Sequence, residues 1–176
     1  MTSRVTRKTI GVAGEYERML YETTDVGRAG EFIKPRVVEG TIRTDLNTNV
    51  MYRGEKLERT SYKWPLETGK KWSYQVKEDL PLAANATTPQ VFITNTDVEV
   101  KGWETVEVPA GKFKAIKLVY KTSWTTENPV SKGNSTNSTW YCPDVKTIVM
   151  STYESFGIDG SPQTRTKEHL IRYSPK

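Results

Sequence analysis

Residues 98–124 read VEVKGWETVEVPAGKFKAIKLVYKTSW, and this stretch decides the fold. Two long runs rich in β-branched and aromatic residues flank the turn-forming segment Pro109-Ala110-Gly111-Lys112. The pattern predicts an antiparallel hairpin with strands at 98–108 and 113–124. A hairpin of this kind indicates an all-β fold.

A four-residue loop at 109–112 determines the expected pairing across this hairpin. The expected pairs are Val108–Phe113, Glu107–Lys114, Val106–Ala115, Glu104–Lys117, Thr105–Ile116, Trp103–Leu118 and Lys101–Tyr120. In this register the apolar side of the hairpin changes on both strands together, which burial of one side alone cannot produce. We therefore expect a twisted or bent hairpin whose tip and base present opposite faces, as in a sheet curled around a core or ligand cavity. A register one residue different, with Gly111 in a G1 bulge, is the alternative.

The composition of the whole chain also favours β structure. Its 176 residues include 16 Val, 24 Thr, 5 Trp, 9 Tyr and 4 Phe, against only 8 Leu and 7 Ala. β-Branched and aromatic residues favour strands, and a large helical bundle or coiled coil needs the helix formers that are scarce here. The length fits a single domain, residues 1–176, with no internal repeat and no interdomain linker.

Turn signals recur roughly every ten residues and divide the chain into about nine or ten strands. This spacing predicts a curved antiparallel sheet of half-barrel, open-barrel or sandwich type, with little helix. Beside the hairpin, strands are expected at 37–43, 50–53, 56–64, 71–77, 90–94, 138–142, 145–154 and 164–173. Long loops are expected at 80–89 and 127–137. Residues 1–35 are the least readable part, and 15–23 fit a short helix or a strand.

The charges exclude some classes of partner. The net charge is +5, from 26 basic and 21 acidic residues, and no run of Lys or Arg exceeds two residues. We expect no nucleic-acid binding, because such proteins concentrate their positive charge, although the excess could support binding to an anionic envelope surface. No stretch approaches the ~20 apolar residues of a transmembrane segment. The single cysteine excludes an internal disulfide and leaves the compartment open.

The sequence offers little for catalysis. One His and one Cys cannot build a zinc site of several His or Cys ligands, and no Gly-x-Ser-x-Gly turn accompanies His169. His169 is better interpreted as a partly exposed strand residue. Cys142 shares a strand face with Trp140 and precedes a proline, which is typical of a small buried hydrophobe rather than a nucleophile. We expect no catalytic residue, no metal and no cofactor.

The aromatic residues are the candidates for a binding site. All five tryptophans lie in or at the ends of predicted strands. They are either core residues of a sheet that is short of aliphatic side chains or a platform for a sugar or lipid. For a ligand site the expected residues are Trp72, Tyr74, Trp103, Tyr120, Trp124 and Trp140.

Three segments carry longer motifs. Residues 64–74 (WPLETGKKWSY) show W-P-L-x-x-G-x-x-W-x-Y, residues 102–115 (GWETVEVPAGKFKA) show G-x-E-x-V-x-V-P-A-G-x-F-x-A, and residues 140–149 (WYCPDVKTIV) begin with W-Y-x-P-x-V. Over residues 60–155 these motifs resemble the TapB-like family of uncharacterised bacterial envelope proteins. The resemblance implies a half-barrel domain that is periplasmic or extracellular, with a signal or lipid anchor removed. A cytoplasmic location is the alternative, and the resemblance implies no activity.

Three functions stay open at this point. The leading hypothesis is a non-enzymatic envelope domain that binds an apolar or glycan ligand, or an envelope protein partner, on its curved sheet. The second is a cell-wall-directed hydrolase that uses a pair of acids or His169. The third is a purely structural interaction module. The oligomeric state is not indicated by the sequence.

Overall fold

The computed structural model describes residues 2–11, 14–24, 50–53, 55–58, 61–80, 90–127 and 130–175. In these residues the chain forms ten β-strands and no helix, which confirms the all-β prediction. The strands are β1 (Thr2–Gly11), β2 (Gly14–Thr24), β3 (Val50–Arg53), β4 (Glu55–Glu58), β5 (Lys71–Leu80), β6 (Gln90–Val108), β7 (Gly111–Glu127), β8 (Ser131–Cys142), β9 (Thr147–Phe156) and β10 (Pro162–Pro175).

Eight of the strands form one open antiparallel sheet. Its order is β1-β2-β10-β9-β8-β7-β6-β5, while β3 and β4 pair only with each other. From β5 to β10 each strand pairs with the next along the chain, and the β1–β2 hairpin then joins the sheet beside β10. In the part of the chain with described structure, no helix is long and apolar enough to cross a membrane.

The register of the β6–β7 hairpin differs from both predicted registers. The loop is only Pro109-Ala110, and Val108 lies opposite Gly111 instead of Phe113. Proline supplies the φ that the first loop position needs, and Gly111 has a φ of 131°, which glycine adopts far more easily than other residues. The shorter loop moves every pair near the tip by two residues, so Val106 faces Phe113 and Glu107 faces Lys112.

The change of apolar side was predicted correctly, although its cause differs between the two strands. On β7 the change lies in the sequence, because the neighbours Ala115 and Ile116 are both buried and point to opposite faces. On β6 a bulge produces it: Val100 pairs with Leu118 and Gly102 with Lys117, so Lys101 is an extra residue. We call the face that carries Leu118 the front face and the face that carries Ala115 the back face.

Each face has its own core. The back core lies at the hairpin tip and contains Val106, Val108, Ala115, Trp140, Cys142, Val145, Val149 and Leu170. The front core lies farther from the tip and contains Trp72, Val98, Val100, Ile116, Leu118, Tyr120 and Tyr141. Tyr62 and Leu66 pack on the front core, so residues 61–70 fill the space over this part of the sheet with side chains. The sheet is therefore packed on opposite sides at its two ends.

The predicted loop at 127–137 is wrong, because residues 131–137 belong to β8. This strand lies between β7 and β9 and pairs with both, so its Ser, Thr, Asn and Gly residues are held by two ladders of hydrogen bonds. The sheet context overrides the turn preference of these residue types.

Other boundaries also change. The predicted strand 90–94 and the hairpin strand are one continuous strand, β6, and the strand predicted at 56–64 ends at Glu58 in the described residues, with irregular structure at 61–64. Residues 15–23 form a strand rather than a helix. The strand predicted at 37–43 lies outside the described residues, as do residues 81–89 of the loop predicted at 80–89, whose first residue, Leu80, ends β5.

Candidate functional site

A row of hydroxyl side chains crosses the front face from β6 to β10. Thr96, Thr122, Ser135, Ser155 and Thr164 are successive cross-strand partners. Partners on antiparallel strands share a face, so the row is continuous across five strands. The hydroxyls of Thr96 and Thr122 lie 2.9 Å apart and form a hydrogen bond. We call these five residues the hydroxyl row.

The hydroxyl row is unusual for a covered sheet face. Thr96, Ser135 and Ser155 are buried, with 5% to 8% of their surface exposed, while Thr122 and Thr164 are half-buried. Each hydroxyl offers one donor and two acceptor positions, and a buried hydroxyl without partners costs free energy. A face built only to cover a core would carry aliphatic residues here, as it does at Val98 and Leu118. The half-buried members of the row, Thr122 and Thr164, therefore suit a polar ligand better than an apolar one.

Aromatic side chains flank the hydroxyl row on both sides. On one side, Tyr120, Asn137 and Tyr153 form the neighbouring cross-strand row, and 37% of the surface of Tyr153 is exposed. On the other side, Trp124 lies opposite Gly133. A Cβ atom on Gly133 would lie 2.5 Å from Cζ2 of Trp124, so the indole lies over the glycine. The site thus combines hydroxyl and amide groups with aromatic rings.

Tyr62 and Tyr120 remain neutral phenols over the physiological range. Burial raises the pKa of Tyr62 to about 12, and burial also raises the pKa of Tyr120 above its ordinary value. The Tyr120 hydroxyl donates a hydrogen bond of 3.0 Å to the backbone carbonyl oxygen of Ser61. This bond helps to hold the 61–70 segment against the front face.

The six predicted site residues do not form one site. Trp72, Tyr74 and Tyr120 lie together on the front face, where Tyr74 is the cross-strand partner of Thr96 in the hydroxyl row. Trp124 borders the same row from the other side. The remaining two are elsewhere: Trp140 belongs to the back core, and Trp103 is 50% exposed near the hairpin tip.

Trp140 has a structural environment on the back face. Its Nε1 donates a hydrogen bond of 2.6 Å to the Glu104 carboxylate, and the Lys117 ammonium lies 4.7 Å from the centre of its ring. Lys117 also approaches Glu104 at 3.6 Å. These contacts fix the indole within the sheet and leave no face of it directed to the hydroxyl row.

The hydroxyl row was missed because its members belong to five strands and only the register brings them together. Ser135 lies within the predicted loop 127–137, and Thr96 lies between the strands predicted at 90–94 and 98–108. The available signal was the alternation of small hydroxyl residues in the stretch SKGNSTNST at 131–139. This alternation is typical of a strand with a polar face.

The residues considered for catalysis lie away from this row. His169 is half-buried and pairs with Met150, which lies five residues along β9 from Ser155 of the hydroxyl row. Cys142 is fully buried in the back core and forms no disulfide. Among the described side chains no group of three or more His, Cys, Asp or Glu residues could hold a metal ion.

A shallow depression lies at the end of the sheet that is farthest from the hairpin tip. It has a volume of about 190 Å³, and its lining includes Ser123, Thr125, Lys132 and Asn134. These residues are cross-strand partners on the back face, opposite the indole of Trp124. The volume is below that of a typical pocket for an organic ligand.

Comparisons with known proteins give little further guidance. No protein-family model matches the chain, and no curated protein matches it. One solved structure, a Bacteroides fragilis protein described as exported with a YmcC-like fold, has 16% identity and a TM-score of 0.34, with 97% of this chain and 100% of that chain covered. Another, a Parabacteroides distasonis protein described as a lipoprotein, has 18% identity and a TM-score of 0.34, with 98% and 86% covered.

At these TM-scores the two similarities carry no inference about this chain. The descriptions of both structures concern export, lipoprotein character or fold, and they name no ligand and no activity. Membership of the TapB-like family stays a prediction.

Proposed function

We propose that this protein is a non-enzymatic domain of the bacterial envelope that binds a glycan on the hydroxyl row of its front face. The observation that carries the proposal is the continuous row of five hydroxyl side chains across five strands. The envelope location is supported by the motif resemblance at 64–74, 102–115 and 140–149.

The chemistry of the hydroxyl row favours a glycan over an acyl chain. An acyl chain on this row would cover the half-buried hydroxyl of Thr164 and the positions of the Thr122 hydroxyl that its bond to Thr96 does not use, and it would offer them no hydrogen bonds, which costs free energy. Sugar hydroxyls both donate and accept, so they match side chains with the same capacity. Trp124 and Tyr153 at the borders supply apolar ring surface for the C–H faces of a sugar.

The arrangement also favours binding over hydrolysis. From β5 to β10, the described side chains of the hydroxyl row and of the rows beside it contain no Asp or Glu, so they supply no carboxylate pair for glycoside cleavage. His169 pairs with Met150, five residues along β9 from Ser155, so at about 3.3 Å per residue it is not placed to act as a base for Ser135 or Ser155. These two facts support the non-enzymatic interpretation.

Binding to defined probes tests the proposal. The probes are soluble peptidoglycan fragments, dextran and a soluble β-glucan, measured by isothermal titration and by affinity electrophoresis, with dansyl-undecanoic acid as the acyl-chain probe. We expect at least one glycan to bind and the double variant Thr122→Val with Ser135→Ala to weaken it at least tenfold. The matched control is Ser123→Ala with Thr125→Val, because these exposed hydroxyls lie on the same region of β7 but on the back face.

Two results would overturn the proposal. One is saturable binding of dansyl-undecanoic acid that the front-face double variant strengthens, since that result identifies an apolar ligand. The other is glycan binding that the two double variants weaken equally. Both variants replace side chains by others of similar size, and circular dichroism of each confirms that the sheet is retained.

A further inference from the structure

The structure leaves two large indoles exposed on the front face near the hairpin tip. Trp103 is 50% exposed and Trp64 is 44% exposed. Trp103 is the cross-strand partner of Ile116, and Ile116 is the partner of Tyr141 on the next strand. The Trp64 ring stands edge-on to the Tyr141 ring, with centroids 5.4 Å apart. Both indoles therefore rest on one buried cross-strand row.

Packing holds the Trp64 ring, and the Trp103 ring stands beside a buried row. Ile116 and Tyr141 are only 1% and 4% exposed, so the floor beneath the indoles is rigid. Tyr62 stacks on Trp64 at 6.1 Å with an angle of 18° between the ring planes. Fixed, exposed aromatic side chains lose little conformational entropy when they bind, which makes them effective contact residues.

Three exposed lysines lie on the hairpin and on the segment that carry these rings. The ammonium group of Lys114 lies 5.7 Å from the centre of the Trp103 ring. Lys112 is exposed beside it and pairs with Glu107 at 3.3 Å, and Lys63 is exposed next to Trp64. Two exposed glutamates, Glu107 of the hairpin tip and Glu67 of segment 61–70, offset part of the charge of these lysines, and the three lysines exceed these two by one, in a chain whose net charge is +5. We call Trp64, Trp103, Lys63, Lys112 and Lys114 the tryptophan–lysine surface.

We propose that the tryptophan–lysine surface docks on an anionic phospholipid membrane. Indole rings prefer the boundary between headgroups and acyl chains, because one end of the ring is apolar and the N–H needs a polar partner. Lysine side chains extend their ammonium groups to the lipid phosphates while their apolar stems stay near the hydrocarbon. The lysines favour an anionic membrane, because they are attracted to negatively charged headgroups and gain no such attraction at an uncharged membrane.

This surface is separate from the hydroxyl row. The Trp103–Ile116–Tyr141 row lies three cross-strand rows nearer the hairpin tip than the hydroxyl row, counted along β7 from Ile116 to Thr122. The two proposals can therefore fail independently.

Vesicle binding of the full chain tests the proposal. Cosedimentation with vesicles of phosphatidylglycerol and phosphatidylcholine in equal parts is compared with pure phosphatidylcholine vesicles, and indole insertion is read from the blue shift of emission and from quenching by brominated lipids. We expect binding only to the anionic vesicles. Trp103→Ala should lower the partition coefficient about tenfold, because the lost insertion of a half-exposed indole removes roughly 1.5 kcal/mol of apolar transfer.

The charge is tested in the same assay. Lys114→Gln should lower binding to anionic vesicles about fivefold, since one lysine contributes about 1 kcal/mol near an anionic surface. The matched controls are Ile158→Ala, an exposed apolar residue 70% accessible at the other end of the sheet, and Lys121→Gln, an exposed lysine on the back face. Both controls should bind as the parent chain does.

Three results would overturn the membrane proposal. The first is equal binding to both kinds of vesicle. The second is a loss of binding in the Ile158 or Lys121 control that matches the loss in the Trp103 variant. The third is a concentration-dependent dimer in sedimentation equilibrium that Trp103→Ala abolishes, because that result assigns the surface to self-association. Trp103 is the chosen position because its ring is half exposed, so its removal leaves the front core intact.

Discussion

The substitution Gly133→Ala tests the part of the fold that the sequence did not predict. Gly133 lies in β8 opposite Trp124. An added Cβ would meet Trp124 Cζ2 at 2.5 Å, the backbone oxygen of Phe156 at 2.6 Å and Trp124 Cε2 at 2.7 Å. All three distances are shorter than real contacts of a Cβ atom, and one of the three atoms belongs to the backbone, so the strand or the indole has to move.

Overpacking of this kind costs about 1–3 kcal/mol, and we expect a value near the upper end because Phe156 oxygen is held in the neighbouring strand. The backbone φ of Gly133 lies outside the left-handed region, so backbone strain adds nothing. The measurement is urea unfolding followed by far-UV circular dichroism. Asn134→Ala, at an exposed neighbouring position, is the control and should change the free energy of unfolding by less than about 0.5 kcal/mol.

A double-mutant cycle identifies the cause. Trp124→Ala removes two of the three close contacts, so Gly133→Ala should cost at least about 1 kcal/mol less in that background than in the parent chain. If Gly133→Ala lowers the free energy of unfolding of the parent chain by less than about 0.5 kcal/mol, the reasoning is refuted, because a substitution to alanine in a solvent-exposed loop has an effect of that size. Residues 131–137 would then be a loop, as their composition suggests, and the hydroxyl row would lose its central member.

Three further predictions concern the two cores and the buried phenol. Leu118→Ala should destabilise the chain by about 2–5 kcal/mol in urea unfolding, because its side chain is fully buried in the front core. Trp140→Phe should lower the free energy of unfolding by about 1–2 kcal/mol, since it removes the hydrogen bond to the partly exposed Glu104 carboxylate. Glu104→Gln should lower it by less, because the amide oxygen of glutamine still accepts that bond. The raised pKa of Tyr62 favours the neutral phenol in the folded state, so stability should be unaffected below pH 10 and should fall as the pH rises from 10 toward 12. Urea midpoints at pH 9 and pH 11.5 check this, and Tyr62→Phe should show a smaller fall than the parent chain.

The sequence predicts the opposite-face packing of the hairpin because β7 encodes it directly. The apolar residues of β7 that belong to or pack on the two cores have odd numbers at Phe113 and Ala115 and even numbers at Ile116, Leu118 and Tyr120. Since successive residues of a strand point to opposite faces, the apolar side changes within this one strand. On β6 the buried valines all have even residue numbers, so the sequence alone would put them on one face. The extra residue Lys101 places Val106 and Val108 on the face opposite to that of Val98 and Val100. An exposed lysine gives no sequence signal for a bulge. The register near the tip was predicted wrongly for a different reason, because the loop is Pro109-Ala110 and not the four residues 109–112.

The candidate site was only partly predictable. Tyr74, Tyr120 and Trp124 were expected as ligand residues and do border the hydroxyl row, because large aromatic residues in strands mark the interior of a sheet. The row itself joins residues as far apart as Thr96 and Thr164. Strand composition cannot indicate such a set, since membership depends on the register of four separate strand pairs.

The attachment of the β1–β2 hairpin beside β10 has a consequence for how the chain acquires its structure. Gly14 pairs with Pro175 and Thr24 with Thr164, so about 140 to 160 residues separate the partners in this ladder. During synthesis, strands β5 to β9 can pair with neighbours that have already emerged, whereas β2 can join β10 only after the last strand has been made. Closing a loop of this length costs more entropy than any neighbouring hairpin does. We therefore expect the final ladder to form late, and until then the edge of β2 is open to chaperones and to mispairing with another chain.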